Sequence, residues 1–184
     1  ILASTTPFYN LTFNGSGGGW TFGANASTTN DFTITAGTVT ASSLLTIAGS
    51  YSNSGTFTGS TGTTYFTGTS KTLAGTMTGT SAFNDIEFLN SGSWSFSADA
   101  STTNFTITSG TVTAPTRLTV AGNYANSGTF TAGAGTLFLE NTTTKTINAG
   151  SGGSFGNLQV LGFASTTGNN FSVTGALTVA SSKI

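Results

Sequence analysis

The sequence predicts an all-β chain wound as a β-solenoid, a parallel β-helix with coils of about 17–20 residues. Three observations predict it. Apolar and polar residues alternate in short runs, helix-favouring residues are scarce, and one long stretch of text recurs.

The alternation is plain at Phe32 and Ile34 with Thr33 and Thr35, and again at Phe105 and Ile107 with Thr106 and Thr108. Phe57 and Phe130 are each flanked by Thr. A period of two with one apolar set is a half-buried strand. Fifteen Phe, about 40 Thr and 26 Gly suit strands closed by tight turns. Charged residues make up 5% of the chain against roughly 25% in average soluble domains. Glu, Lys, Arg and Gln are nearly absent, and no window carries apolar residues at helical spacing.

The repeat starts at Phe8, Phe83 and Phe155, and covers residues 8–82, 83–154 and a truncated 155–184 of one solenoid domain, 1–184. "SYSNSGTFTGSTGT" from Ser50 and "NYANSGTFTAGAGT" from Asn123 belong to the same period. The first repeat divides into four pieces of 17 to 20 residues, 8–26, 27–43, 44–62 and 63–82, read as four coils. Copies would then lie about 19 Å apart, and nine to ten coils would make a rod of roughly 45 Å. Phe57 and Phe130 are expected to pack on the coils above and below them rather than on each other. Asn10, Asp85 and Asn157, each before an apolar Leu or Ile, read as turn positions whose side chains bond the local backbone. An antiparallel β-sandwich or jelly-roll fibre subunit has similar strands and turns, but no reason to repeat its sequence in phase.

The stretch "LTVAGNYANSGTFTAGAGTLFLENTTTKTINAGSGGSFGNLQV" resembles the repetitive surface proteins of bacteria, the adhesins and fibres of the filamentous-haemagglutinin kind. The matching positions are Asn126, Ser127, Gly128, Thr129, Phe130, Gly133, Gly135, Thr136, Ile147, Phe155, Asn157 and Leu158. The resemblance implies a β-helix with extracellular structural or adhesive work, and carries over no catalytic residue. Those proteins run to many repeats, whereas this chain holds a little more than two.

Set before a second copy, the final "SSKI" is followed by "ILASTTPFYN". Lys183 then falls where Lys71 and Lys145 stand, Leu2 near Leu73 and Ile147, and Phe8 where Phe83 and Phe155 stand. The pattern resumes across the break. It predicts a head-to-tail homopolymer joined through Ile1, Leu2, Ala3, Phe8, Leu177, Val179, Lys183 and Ile184. No blunting charge or polar cap is visible at either end apart from Pro7. The third repeat lacks an "NSGTFT" segment, a gap near Ile184 that residues 1–7 of a neighbour would fill as an added strand. The first residue is Ile, so the chain is processed or a piece of a longer one.

Several chemistries are not expected. There is no His or Cys, so nucleophile–base pairs and thiolate metal sites are missing. Asp85 and Glu87 face one side of a strand, but their counterparts are Asn10 with Thr12 and Asn157 with Gln159, a solvated polar face rather than a glycosidase or calcium pair. "GSGGGW" at Gly15–Trp20 lacks the Lys of a phosphate loop and reads as a loop tip. The basic residues Lys71, Arg117, Lys145 and Lys183 are scattered, which argues against nucleic acid. No apolar run is long enough to span a bilayer. Thr triplets at 33–35, 56–58, 106–108 and 129–131 fall on different segments, which disfavours one flat ice-binding rank.

The sequence therefore predicts no enzyme and no cofactor. It predicts a structural subunit of an extracellular bacterial filament or surface layer, with itself as partner. The alternative is a non-polymerising adhesin segment that binds surface glycans, with Tyr9 or Trp20 as exposed stacking rings.

Overall fold

The computed structural model describes residues 6–140, 143–162, 164–166 and 170–180. It is a β-solenoid of about nine turns. Among the described residues every strand pairing is parallel, and the one helical element is a single 3-10 turn, Gly79–Ser81. At ~4.8 Å per coil the rod is about 43 Å long.

Each turn carries three strand positions, which stack into three columns. Column one runs from a bridge at Phe8 through Ala26–Thr28, Leu44–Ile47, Thr63–Phe66, residues 86–88, residues 105–107, Tyr124–Asn126 and Lys145–Asn148 to Ala164–Thr166. Column two holds residues 11–13, residues 32–34, Tyr51–Asn53, Lys71–Gly75, Ser93–Phe96, Thr111–Thr113, Thr129–Thr131, Ser154–Phe155 and Ser172–Val173. Column three holds residues 19–21, residues 38–40, Thr56–Thr58, Met77 with Phe83, residues 100–102, Arg117–Val120, Thr136–Leu139, Asn157–Val160 and Leu177–Val179. Most coils take nineteen residues, as from Thr28 to Ile47, but Phe66 to Phe88 takes 22 and Tyr124 to Ile147 takes 23.

This arrangement corrects the four-coil repeat. From Phe8 to Phe83 there are eleven strand positions, three turns and two thirds of a fourth. Equivalent segments of successive repeats therefore lie on different columns. Phe8 is in column one, Phe83 in column three and Phe155 in column two. Likewise the strand at 32–34 is in column two, while its counterpart at 105–107 is in column one. The third repeat lacks a counterpart of Ser93–Phe96, passing from Asn157–Val160 to Ala164–Thr166. That loss of one strand moves everything after it by one column.

Alternation explains the core. Each strand turns one side inward, so Phe32, Ile34, Leu45, Ile47, Phe66, Phe88 and Phe105 are fully buried. Rings continue from coil to coil. Phe13, Phe32, Tyr51, Phe83, Phe66, Phe88, Phe105, Tyr124, Phe155 and Phe171 follow one another at centroid distances of 5.2–6.1 Å. Such pairs contribute about 0.5–1.5 kcal/mol each beyond area burial. Phe57 and Phe130 do have separate but equivalent surroundings: Phe32, Tyr51 and Phe83 for one, Phe105, Tyr124 and Phe155 for the other.

Glycine marks the corners. Gly37 and Gly110 are equivalent, and both adopt φ +87°, in the left-handed region that a side chain rarely enters. A Cβ on Gly110 would also lie 2.4 Å from the Gly92 carbonyl oxygen.

Candidate functional site

Three surface features carry the chemistry of this chain: the corner ladders, the outer edge of the last strand, and one charged groove.

The ladders run along the solenoid axis. The Asn10 carboxamide oxygen accepts the Asp31 N–H at 3.1 Å, Asp31 accepts the Ser50 N–H at 2.8 Å, and the Ser50 hydroxyl accepts the Thr72 N–H at 3.3 Å. In the second repeat Asp85 accepts from Asn104 at 3.2 Å, Asn104 from Asn123 at 2.8 Å, and Asn123 from Thr146 at 3.0 Å. Asn157 opens a third with the Ala176 N–H at 2.9 Å. These side chains bond the next coil, not the local turn as the sequence led us to expect. They satisfy backbone donors at corners where the strand ladder is broken. Asp85 is thus a ladder rung, and Glu87 separately accepts the Thr108 hydroxyl at 2.6 Å. Among the described residues no three of His, Cys, Asp and Glu converge as metal ligands would.

A different use of Asn occurs inside the coil. Asn53 and Asn126 are buried, and each accepts the N–H two residues on, from Gly55 and Gly128, at 3.0 Å. Their amide groups donate to the carbonyls of Thr76 and Ala149 in the next coil. Two phenols in the same core are less well served. The Tyr51 and Tyr124 hydroxyls are buried without a hydrogen-bond partner among the described residues. Burial pushes both phenols well above the usual tyrosine range; Asn53 beside Tyr51 pulls in the other direction but stands outside hydrogen-bond geometry.

The last strand, Leu177–Val179, is paired with Asn157–Val160 on one side only among the described residues. In column three the positions below Leu177 are Leu158, Leu137 and Leu118, all at most 2% exposed, whereas Leu177 is 58% exposed. Val179 is 66% exposed above Val160, Leu139 and Val120. Phe8, at the other end, is half-buried and bridged to Thr28. Ile1, Leu2, Ala3, Lys183 and Ile184 of the predicted contact lie outside the described residues. So does much of the segment expected to fill the gap near Ile184.

The two rings singled out for stacking differ. Tyr9 is 72% exposed, but Trp20 is packed on Phe13 at 5.2 Å and lies against Gly15 and Gly18. That contact explains "GSGGGW": a Cβ on Gly18 would come within 2.8 Å of the indole ring. The Thr triplets fall on columns two, three, one and two, so they form no single rank.

The charged groove was not anticipated. It lies on column three, lined by Thr78, Asp99, Ser101, Arg117, Thr119 and Glu140. The Arg117 guanidinium donates through Nη2 to Glu140 at 3.1 Å and through Nε to the Thr119 hydroxyl at 3.2 Å. Its carbon stands 3.9 Å from the centroid of the Phe138 ring, and its backbone N–H donates to Asp99 at 2.9 Å. A signal for the groove existed in the sequence: Asp99, Arg117 and Glu140 are 18 and 23 residues apart, close to one coil each.

Fold and surface together define a β-solenoid repeat protein. No protein-family model, curated protein or solved structure matches the chain.

Proposed function

We propose that this chain is a structural subunit of an extracellular bacterial filament or surface layer, stacking head to tail on further copies of itself. The observation that carries this reading is the outer edge of Leu177–Val179. Its Leu and Val repeat a column of buried residues, yet they are themselves exposed. Such an edge is a template for one more coil. A second copy stacked on this edge would continue in column one, the column in which Phe8 stands. The low charge fits too, since Thr, Ser and Asn surfaces meet without repulsion. No helix of the described residues is long and apolar enough to cross a membrane.

Electron cryomicroscopy of the purified chain tests the reading. Filaments with a layer line near 4.8 Å are expected, and L177K/V179K is expected to leave folded monomers. Native protein that remains monomeric at high concentration would overturn it. A second reading, a non-polymerising adhesin segment that binds carbohydrate, is favoured by exposed Tyr9. It predicts glycan binding by that monomer, lost in Tyr9→Ala.

A further inference from the structure

The groove around Arg117 has a control built into the molecule. The first repeat carries Asn25, Leu44 and Thr67 at the positions of Asp99, Arg117 and Glu140. Its coils fold in the same way around those neutral residues, with Asn25 accepting the Ser43 hydroxyl at 3.0 Å. The solenoid therefore has no need of the three charges. Nor does their mutual attraction explain them: both side chains of the Arg117–Glu140 pair are more than two-fifths exposed, and a pair so wet adds little to stability. Yet three of the nine charged residues in this charge-poor chain are drawn from three successive coils to one place.

Arg117 is held rather than loose. Glu140, Thr119 and the Phe138 ring fix the guanidinium from separate directions, which removes much of the ordering cost of a long side chain. Those contacts occupy two of its five N–H groups among the described residues. The remainder, with the Asp99 and Glu140 carboxylates and the Ser101, Thr119 and Thr78 hydroxyls, give the groove donors and acceptors side by side.

We propose that this groove binds an uncharged oligosaccharide. Two carboxylates and one guanidinium line the groove, and the excess of negative charge repels a phosphate or sulfate. The guanidinium, which occupies Glu140, disfavours a metal cation, and a lining of charges and hydroxyls offers nothing to a purely apolar group. Vicinal sugar hydroxyls suit it: each donates to a carboxylate while accepting from Arg117. The site is distinct from the filament edge, so the proposal stands whether or not the chain polymerises.

The test uses the full chain of the L177K/V179K variant, or the native chain if it is monomeric, labelled for amide NMR. Maltohexaose, cellohexaose and chitohexaose are titrated in turn, and a sulfated heparin hexasaccharide serves as the charged comparison. The expected result is a dissociation constant in roughly the millimolar range for at least one neutral hexaose. Shifts should cluster on Ser101, Arg117, Thr119 and Glu140. D99N/R117L/E140T, which writes the first repeat's residues into the groove, is expected to weaken binding at least about tenfold with an unchanged melting temperature. Should that variant unfold, S101W fills the groove with the charges intact and must show the same loss. Shifts centred elsewhere, tighter binding of the sulfated sugar, undiminished binding by the variants, or no binding of any neutral hexaose would overturn the proposal.

Discussion

The Ser81 hydroxyl accepts the backbone N–H of Phe57 at 3.1 Å, one coil away, and both residues are buried. Here the 3-10 turn Gly79–Ser81 stands where column three would continue as a strand between Met77 and Phe83. A side chain supplies the acceptor that a neighbouring strand supplies elsewhere. Replacing it orphans a buried donor, so Ser81→Ala is expected to cost about 1–3 kcal/mol in chemical denaturation. A loss under a few tenths would show that Phe57 N–H finds another acceptor.

The buried phenols lead to the opposite expectation. Tyr51 stacks on Phe32 at 6.0 Å and Tyr124 on Phe105 at 5.6 Å, so the rings matter while the hydroxyls have no partner among the described residues. Tyr51→Phe and Tyr124→Phe keep the stacking and remove an unsatisfied group. Each is expected to leave stability unchanged or raise it by about 1 kcal/mol in urea melts. A loss of the same size would mean that the hydroxyls are bonded in solution.

The same residues set the alkaline limit. Burial raises both phenols in the folded chain. Unfolded, they ionise near pH 10. Above that value the unfolded state binds fewer protons than the native one, so stability falls as pH rises and is fully retained below it. With two such groups the slope is expected to approach about 2.7 kcal/mol per pH unit. Melting temperature followed from pH 9 to pH 12 checks this, and Y51F/Y124F should flatten the fall.

Gly110 combines φ +87° with a carbonyl oxygen 2.4 Å from where a Cβ would stand. Gly110→Ala is therefore expected to cost at least about 1–2 kcal/mol, the left-handed penalty alone. Thermal melts of Gly110→Ala beside Gly19→Ala measure the difference; Gly19 has open space and no positive φ.

Much of this architecture was legible in period-two alternation. Phe32, Ile34, Phe105 and Ile107 point inward as read, because a strand whose outer side is Thr leaves its apolar side nowhere else to go. The count of coils per repeat was not legible. Coil lengths of 19, 22 and 23 residues hide the number of strands behind similar stretches of text, and only the pairing of Thr28 with Ile47 and its successors reveals three columns. The ladders were misread for a related reason. Asn10 and Asp85 do act at corners, but whether a short side chain bonds its own turn or a neighbour about twenty residues on depends on coil spacing. The groove escaped because Asp99, Arg117 and Glu140 look scattered until that spacing is known.

The eleven-strand repeat has a genetic consequence. Tandem copies of similar DNA recombine unequally, and a lineage can gain or lose one unit in a single event. Here such an event leaves the inward faces able to stack, since one segment of the repeat already packs in each column: residues 11–13 in column two, residues 86–88 in column one and residues 158–160 in column three. It turns whatever is carried beyond it by a third of a revolution. Only a change of three units restores the original bearing, so copy number in such a gene would steer the direction in which distant surfaces point.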